Sequence, residues 1–222
     1  MIRAIDLAKR YRSDRGLSHW VFSGVSFHIP TKTNVGLVGR NGAGKSTLLR
    51  LIASADYPTR GEIRRDCRVS WPLGFAGGLH GSMTGRQNAR FVCRIHGLAE
   101  NEIPERLTFV QAFAELGEAF DWPIHTYSTG MSARLKFALS LVFDFDVYLT
   151  DELTAVGDVV FQKKSRQAFK DLVGKAGLIM VAHQENVLKE YCQAGLLLHQ
   201  GQAFWFDRID DAFKAYKETI TQ

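Results

Sequence analysis

The 222-residue chain has little cysteine and no long hydrophobic run. Its three cysteines, Cys67, Cys93 and Cys192, are an odd number without metal-ligand spacing, which argues against a disulfide framework and a cysteine-based metal site. No apolar run approaches the roughly 20 residues that span a bilayer. The start, MIRAIDLAKRYR, lacks the apolar core of a signal peptide. We therefore expect a cytoplasmic protein with reduced thiols that reaches any membrane through a partner.

Formal charge is absent from residues 69–85, VSWPLGFAGGLHGSMTG, which hold five glycines. The segment is too rich in glycine for a helix and too apolar for a solvated linker. Trp71, Phe75 and Leu79 are spread along it. Two interpretations stay open: the segment is buried against another protein, or these side chains fill the core beneath it.

Basic residues are concentrated in the N-terminal third of the chain. Residues 1–70 contain thirteen Lys and Arg against five Asp and Glu, within a net charge of +5. This excess indicates an anionic ligand, a membrane surface or nucleic acid, unless it is ordinary solubility charge.

Short apolar runs alternate with helical patterns along the chain. The runs at 35–38, 147–150, 178–182 and 195–199 suit strands buried on both faces of a parallel sheet. A helix is predicted over 158–173, and a hairpin and an amphipathic helix close the chain. The predicted fold class is α/β, with N-terminal antiparallel strands and a mostly helical insert around residues 86–135 of one domain spanning 1–222.

A phosphate-binding loop is predicted at GRNGAGKST, residues 39–47. The loop follows the strand VGLV and precedes the helical run LLRLI, the context that the P-loop pattern requires. Its glycines let backbone N–H groups face phosphate oxygens, Lys45 supplies a charge toward the β- and γ-phosphates, and Ser46 offers a hydroxyl to Mg²⁺.

Acidic and histidine side chains end the next predicted strands. We expect Asp151 in the Mg²⁺ shell and Glu152 beside the γ-phosphate, where it orients or deprotonates the attacking water. His183 ends the strand LIMVAH at the edge where ligands bind in open α/β sheets, and we interpret it as a γ-phosphate sensor. The alternatives are a solvated strand cap for the acids and a structural role for the histidine.

The segment YSTGMSARLKFALSLVF, residues 127–143, indicates the class of P-loop protein. Ser128 and Gly130 are expected to precede a helix whose N-terminus binds an anion. Together with the P-loop before it and YLTDE after it, the segment closely resembles the signature of ABC ATPases. The resemblance covers the whole chain.

That resemblance implies a head-to-tail homodimer, in which each ATP lies between one P-loop and the signature of the second copy. It also implies that Tyr11 stacks on adenine and that Asp158, in AVGD, is the D-loop acid between the two sites. The implied ATP contacts of one copy are Tyr11, Gly39, Arg40, Asn41, Gly42, Ala43, Gly44, Lys45, Ser46 and Thr47. The implied contacts with the partner's ATP are Tyr127, Ser128, Thr129, Gly130 and Met131.

The sequence is most similar to the ATPase subunits of bacterial capsular polysaccharide exporters, above all in residues 70–85. In that family this loop receives a coupling helix of the membrane subunit, so Phe75 and Leu79 are the expected contacts. Two departures stand out. Thr129 replaces a small residue of the signature, and no glutamine occurs between 69 and 85, where ordinary ABC ATPases have one near Phe75.

The function predicted from these features is an ATP-hydrolysing, Mg²⁺-dependent motor subunit at the cytoplasmic face of the inner membrane. Its expected partners are a second copy of itself, a polytopic permease and periplasmic export components, with no nucleic acid and no C-terminal carbohydrate-binding domain. The alternative is a soluble ABC-type ATPase that acts on nucleic acid or ribosomes, for which the basic segment 60–68 is the best support.

Overall fold

The computed structural model describes residues 1–12, 16, 18–73, 79–151, 158–182 and 184–221. The strands are β1 (Ile2–Arg12), β2 (Ser18–Ile29), β3 (Asn34–Val38), β4 (Arg60–Arg65), β5 (Val69–Pro72), β6 (Val147–Asp151), β7 (Gly177–Val181), β8 (Ala194–His199) and β9 (Gln202–Phe206). The α-helices are α1 (Lys45–Ile52), α2 (Gly85–Ile95), α3 (Ile103–Ala114), α4 (Thr129–Ser140), α5 (Val159–Val173), α6 (Glu185–Tyr191) and α7 (Ile209–Thr221). Two short 3₁₀ helices cover Gly117–Asp121 and Ile124–Thr126.

The larger sheet has the order β5-β6-β7-β3-β8-β9 and is parallel except for the hairpin partner β9. All four strands predicted from apolar runs lie in it, and their residues are almost all buried. Burial on both faces explains why these strands are continuous apolar runs rather than alternating patterns. The predicted mostly parallel α/β fold and its closing hairpin are confirmed.

Helix α7 packs closely against this sheet. A β-carbon on Gly36 of β3 would lie 2.8 Å from Cδ1 of Ile209, and one on Gly195 of β8 would collide with Ala212. Glycine at both strand positions therefore allows the close approach of the helix. Ile209 and Phe213 are buried as the periodicity predicts, whereas Ile220 is 55% exposed because it lies in the last helical turn.

The N-terminal strands form a separate antiparallel sheet in the order β2-β1-β4, as the fold prediction requires. One face of β1 contributes Ile2, Ala4 and Leu7 to a hydrophobic core that also contains α1 and the parallel strands. Fully burying a side chain the size of Ile2 or Leu7 stabilises a fold by about 1.5–3 kcal/mol.

The uncharged segment 69–85 begins as a strand, which the sequence did not predict. β5 pairs in parallel with β6, and buried Ser70 accepts a hydrogen bond from the Leu149 N–H at 2.9 Å. Trp71 packs edge-on against Phe145, with ring centroids 5.4 Å apart. Pro72 is tolerated because β5 is an edge strand. For Trp71, the structure therefore favours the core-filling interpretation.

The chain divides into two compact units. The described residues of 1–72, 145–153 and 172–222 form the first, which contains both sheets and α1. The described residues of 73–144 and 154–171 form the second, which contains α2, α3, α4 and most of α5.

Candidate nucleotide site

The P-loop candidate connects β3 to α1 in the strand–loop–helix order that the sequence predicts. Gly39 and Gly44 have φ angles of 148° and 98°, in the region that favours glycine. A β-carbon on Gly39 would lie 2.5 Å from the Leu198 carbonyl oxygen, and one on Gly44 would lie 2.5 Å from Cγ1 of Val21. Both glycines are thus required by backbone conformation and by close packing.

The N-terminus of α1 presents unpaired backbone donors. The first helical bond that reaches back to the loop is from the Leu48 N–H to the Gly44 carbonyl, at 2.8 Å. Among the described residues, the N–H groups of Lys45, Ser46 and Thr47 have no acceptor. Aligned N–H groups and the positive end of the helix dipole make this terminus suitable for a phosphate.

The Lys45 ammonium is hydrogen-bonded to the backbone of the P-loop. Its Nζ donates to the carbonyl oxygens of Gly39 at 2.7 Å and Arg40 at 3.0 Å. A lysine has three N–H donors, so one remains for a phosphate oxygen. Burial lowers the pKa of Lys45, an effect that the nearby Asp151 carboxylate partly opposes.

Asp151 and Ser46 carry oxygen atoms of the kinds that Mg²⁺ prefers as ligands. Asp151 is the last residue of β6, and Ser46 is exposed in the first turn of α1. Among the described residues, no group of three or more His, Cys, Asp or Glu side chains could hold a metal. Mg²⁺ commonly binds through one or two protein oxygens plus phosphates and water, so the two side chains fit that ion when it arrives with a nucleotide.

Three predicted site residues, Glu152, His183 and Phe75, lie outside the described residues. Two of them are close in sequence to described strands: Glu152 directly follows Asp151, and His183 comes two residues after the end of β7. Their assigned roles stay predictions.

Tyr11 lies near the end of β1 with 41% of its surface exposed. Its hydroxyl donates to Oδ2 of Asp56 at 2.7 Å, and the Lys9 ammonium lies 4.7 Å from the ring centroid. The tyrosine is therefore anchored at its hydroxyl end while much of the side chain still faces solvent. No sequence pattern indicates this partnership with Asp56.

The opposite end of the P-loop helix is capped by an arginine that sequence reasoning missed. Arg65 of β4 donates through Nε to the Ile52 carbonyl at 2.7 Å and through Nη2 to the Leu51 carbonyl at 2.5 Å. A cation at the C-terminus of a helix satisfies carbonyls and complements the helix dipole. Burial lowers the pKa of this guanidinium.

In the second unit, the predicted signature opens α4. Ser128 is the N-cap, with an extended backbone and a side-chain oxygen that accepts the Met131 N–H at 3.2 Å. The helix begins at Thr129, so Gly130 lies inside its first turn and does not precede it as predicted. The cause is the Ser128 cap, which starts the helix directly after itself. Ser128 and Thr129 are exposed, so the terminus is accessible in the chain.

Tyr127 has a structural role within the second unit. Its hydroxyl donates to the Ala119 carbonyl at 2.6 Å, and a β-carbon on Gly85 would collide with that hydroxyl oxygen. Burial raises the pKa of Tyr127. The side chain thus fixes the approach to the signature against the start of α2.

Asp158 caps α5 and is paired with the signature helix. Its Oδ1 accepts the N–H groups of Val160 and Phe161, both at 3.0 Å, and its other oxygen accepts from Arg134 of α4. Nη1 of Arg134 also lies 3.6 Å from Oε2 of Glu115, and its Cζ lies 4.7 Å from the Phe161 ring centroid. Within the second unit, the predicted D-loop acid is therefore joined to the helix that carries the signature.

The described end of the uncharged loop, residues 79–84, is organised by Asn88 of α2. This fully buried amide accepts the His80 N–H at 2.7 Å. It donates to the carbonyls of His80, Met83 and Thr84 at 3.2, 3.1 and 2.9 Å. Leu79 is half-buried at the start of this held segment.

Comparison with known proteins identifies the family. Residues 22–155 match the ABC transporter family. The chain is 46% identical over 221 residues to the polysialic acid transport ATP-binding protein KpsT of Escherichia coli, covering 99% of this chain and 100% of that protein. It is 41% identical over 218 residues to the capsule polysaccharide export ATP-binding protein CtrD of Neisseria meningitidis serogroup B, covering 97% and 98%.

The chain belongs to the ABC transporter family. As an ABC ATPase, it is an ATP-hydrolysing enzyme. The fold is also that of an ABC cassette: a dimeric structure of the ATP-binding cassette MJ0796 bound to ADP and Pi matches with a TM-score of 0.75 at 21% identity, covering 94% of this chain and 99% of that one. In the part of this ABC ATPase that the structure describes, no helix is long and apolar enough to cross a membrane.

Proposed function

We propose that this ABC ATPase is the motor subunit of a capsular polysaccharide exporter. The observation that carries the proposal is its similarity, over nearly the whole of both chains, to KpsT and CtrD, which are named for polysialic acid transport and capsule polysaccharide export. The protein acts as a single nucleotide-binding domain at the cytoplasmic face of a bacterial inner membrane. It works with a polytopic permease and with periplasmic components that carry the polysaccharide onward.

The nucleoside triphosphate, ATP, binds to the P-loop of one copy. Its phosphate oxygens accept hydrogen bonds from the free N–H groups at the start of α1 and from the third N–H of the Lys45 ammonium. Residues 39–47 wrap around the phosphates. Ser46 and Asp151 would hold Mg²⁺ together with phosphate oxygens, and the ion would neutralise part of the phosphate charge. Glu152 orients the attacking water and His183 contacts the γ-phosphate.

The second copy completes the site in a head-to-tail dimer. The exposed N-terminus of α4, with Ser128, Thr129 and Gly130, supplies further backbone donors to the γ-phosphate. Tyr127 and Asp158 contribute to this ATP site indirectly, by holding the signature in place. In support, the Tyr127 hydroxyl is bonded within its own chain and Asp158 caps α5. The dimeric form of the MJ0796 cassette supports this assembly.

The nucleic-acid alternative loses the feature that best supported it. Within the basic segment 60–68, Arg65 turns inward to cap α1, and Nη2 of Arg64 lies 2.5 Å from Oε1 of Glu62. The segment therefore does not present a continuous row of unpaired cations to a phosphate backbone.

The test is purification of the tagged protein from detergent-solubilised native membranes. We expect a polytopic membrane protein to co-purify in stoichiometric amount. Recovery of nucleic acid or ribosomal proteins, with no membrane subunit, would contradict the exporter and support the alternative.

A further inference from the structure

We propose that Asp56 is a positioning residue for base recognition: its carboxylate holds the ring of Tyr11 in the orientation that stacks on the nucleotide base. The inference rests on the proposed function, in which Tyr11 contacts adenine. It adds a residue that does not touch the nucleotide and that lies 45 positions from Tyr11 in the sequence.

The Asp56 carboxylate has its own firm support. It lies in the connection between α1 and β4, where Oδ1 accepts from the Lys9 ammonium at 2.6 Å and from the Tyr57 N–H at 2.7 Å. The Lys9 side chain is only 9% exposed and donates also to the Tyr57 carbonyl at 2.7 Å. The remaining oxygen, Oδ2, is the one that accepts the Tyr11 hydroxyl. A fixed acceptor is what a flexible side chain needs if it is to hold one orientation.

The ring is placed where a base could reach it. The Lys9 ammonium lies over the ring, which leaves the opposite face for a base, in accord with the 41% exposure of Tyr11. A cation over one face and an aromatic base on the other are compatible, since each is attracted to the π-system.

The register of the antiparallel sheet relates this ring to the phosphate loop. Phe22 lies beside the position of Gly44 and pairs with Lys9 of β1, while Tyr11 pairs with His19. Tyr11 is two residues beyond Lys9 along the strand, a distance of about 7 Å. The register thus places Tyr11 two residues along β1 from Lys9, whose partner Phe22 lies beside the P-loop.

The tether matters because an untethered tyrosine must be ordered by the ligand. Restricting the rotamers of an exposed side chain on binding opposes affinity, and orienting the ring in advance removes that cost. The connection from α1 supplies the anchor, so the element that positions the base-stacking ring follows directly from the phosphate-binding helix.

The test replaces Tyr11 by Phe, which removes only the hydroxyl and keeps the stacking ring and the Lys9–Asp56 ion pair. Calorimetry measures the affinity for Mg·ATP and, separately, for Mg-tripolyphosphate, which has no base. We expect ATP affinity to fall about three- to tenfold, the scale of one typical net hydrogen bond, with tripolyphosphate affinity unchanged. Tyr57→Phe is the matched control, because that neighbouring tyrosine is 80% exposed and its hydroxyl has no partner among the described residues.

Two further results separate this inference from the stacking contact itself. Asp56→Asn should reproduce the selective loss of ATP affinity, with the melting temperature showing that the variant is folded. If Tyr11→Ala weakens ATP binding but Tyr11→Phe binds like the wild type, stacking stands and the role of Asp56 is refuted. If Tyr11→Ala has no effect on ATP affinity, the stacking contact fails as well. An equal loss of ATP and tripolyphosphate affinity in Tyr11→Phe would also overturn the inference, since it would indicate a general loosening of the site.

Discussion

Replacing Asn88 should destabilise the protein by an amount that depends on which hydrogen-bonding groups lose their last partner. The amide makes four hydrogen bonds to residues 80–84. All three carbonyls that Asn88 contacts keep a backbone donor, because the N–H groups of Met83, Ile124 and Asn88 donate to the carbonyls of His80, Met83 and Thr84 respectively. Only the His80 N–H is left without its acceptor. Asn88→Leu, which keeps the branched skeleton but is bulkier, should therefore cost at least about 1–3 kcal/mol, the penalty of one orphaned group.

Asn88→Asp provides a sharper comparison at nearly constant shape. It keeps an acceptor for the His80 N–H but turns a donor into an ionised oxygen facing three carbonyl oxygens in a buried position. We expect the cost at pH 7 to exceed that of the Leu variant and to reach about 3–5 kcal/mol. Because this environment would raise the folded-state pKa of the new carboxyl above its unfolded value, the destabilisation should shrink as the pH falls through the raised pKa.

The assay is thermal unfolding followed by circular dichroism, where each kcal/mol corresponds to about 2–4 °C for a chain of this size. Asn101→Asp, at an exposed turn, is the matched control and should change little. The reasoning is refuted if the Asp variant is as stable as the Leu variant at pH 7, or if neither differs from the wild type.

Three other predictions concern the catalytic acid, the membrane contact and the thiols. Glu152→Gln should bind ATP, slow hydrolysis by roughly 10²–10⁴ and accumulate an ATP-bound dimer on gel filtration; normal turnover would assign Glu152 to a strand cap. Leu79→Asp should weaken permease binding by a few kcal/mol with a near-normal melting temperature, whereas half-buried Leu98→Asp, the control, should still co-purify with the permease. A collapsed melting temperature for Leu79→Asp would favour core packing, and normal co-purification would remove Leu79 from the interface. Iodoacetamide at pH 8 should label half-buried Cys67 before the other thiols, because burial raises the pKa of Cys93 and raises that of Cys192 to about 12; rapid labelling of Cys192 in the folded protein would contradict this.

The features that could be predicted from sequence are those whose signal is local. The buried strands appear as apolar runs, and the P-loop appears as glycines at fixed spacing between a strand and a helix. The N-terminus of α4 is similarly marked by a serine cap, although the exact first residue of the helix was placed too late. In each case neighbouring residues determine the backbone conformation.

The supporting contacts could not be predicted because they join distant parts of the chain. Asp56 meets Lys9 and Tyr11 across 47 and 45 residues, and Arg134 meets Asp158 across 24. Such partners are chosen by sheet register and helix packing, which no short window contains. β5 was missed for the same reason: its pairing with β6 depends on a strand more than 70 residues away.

The most direct test of the exporter proposal is ATP-dependent uptake of radiolabelled capsular polysaccharide by inverted inner-membrane vesicles that contain the protein and its permease. Inversion places the nucleotide site outside, so export appears as uptake. We predict uptake that requires hydrolysable ATP and that disappears in Lys45→Ala, which lacks the cation aimed at the phosphates, while the permease remains in the vesicles. Uptake that proceeds equally without ATP or with the Lys45→Ala protein would contradict the claim that this P-loop powers polysaccharide export.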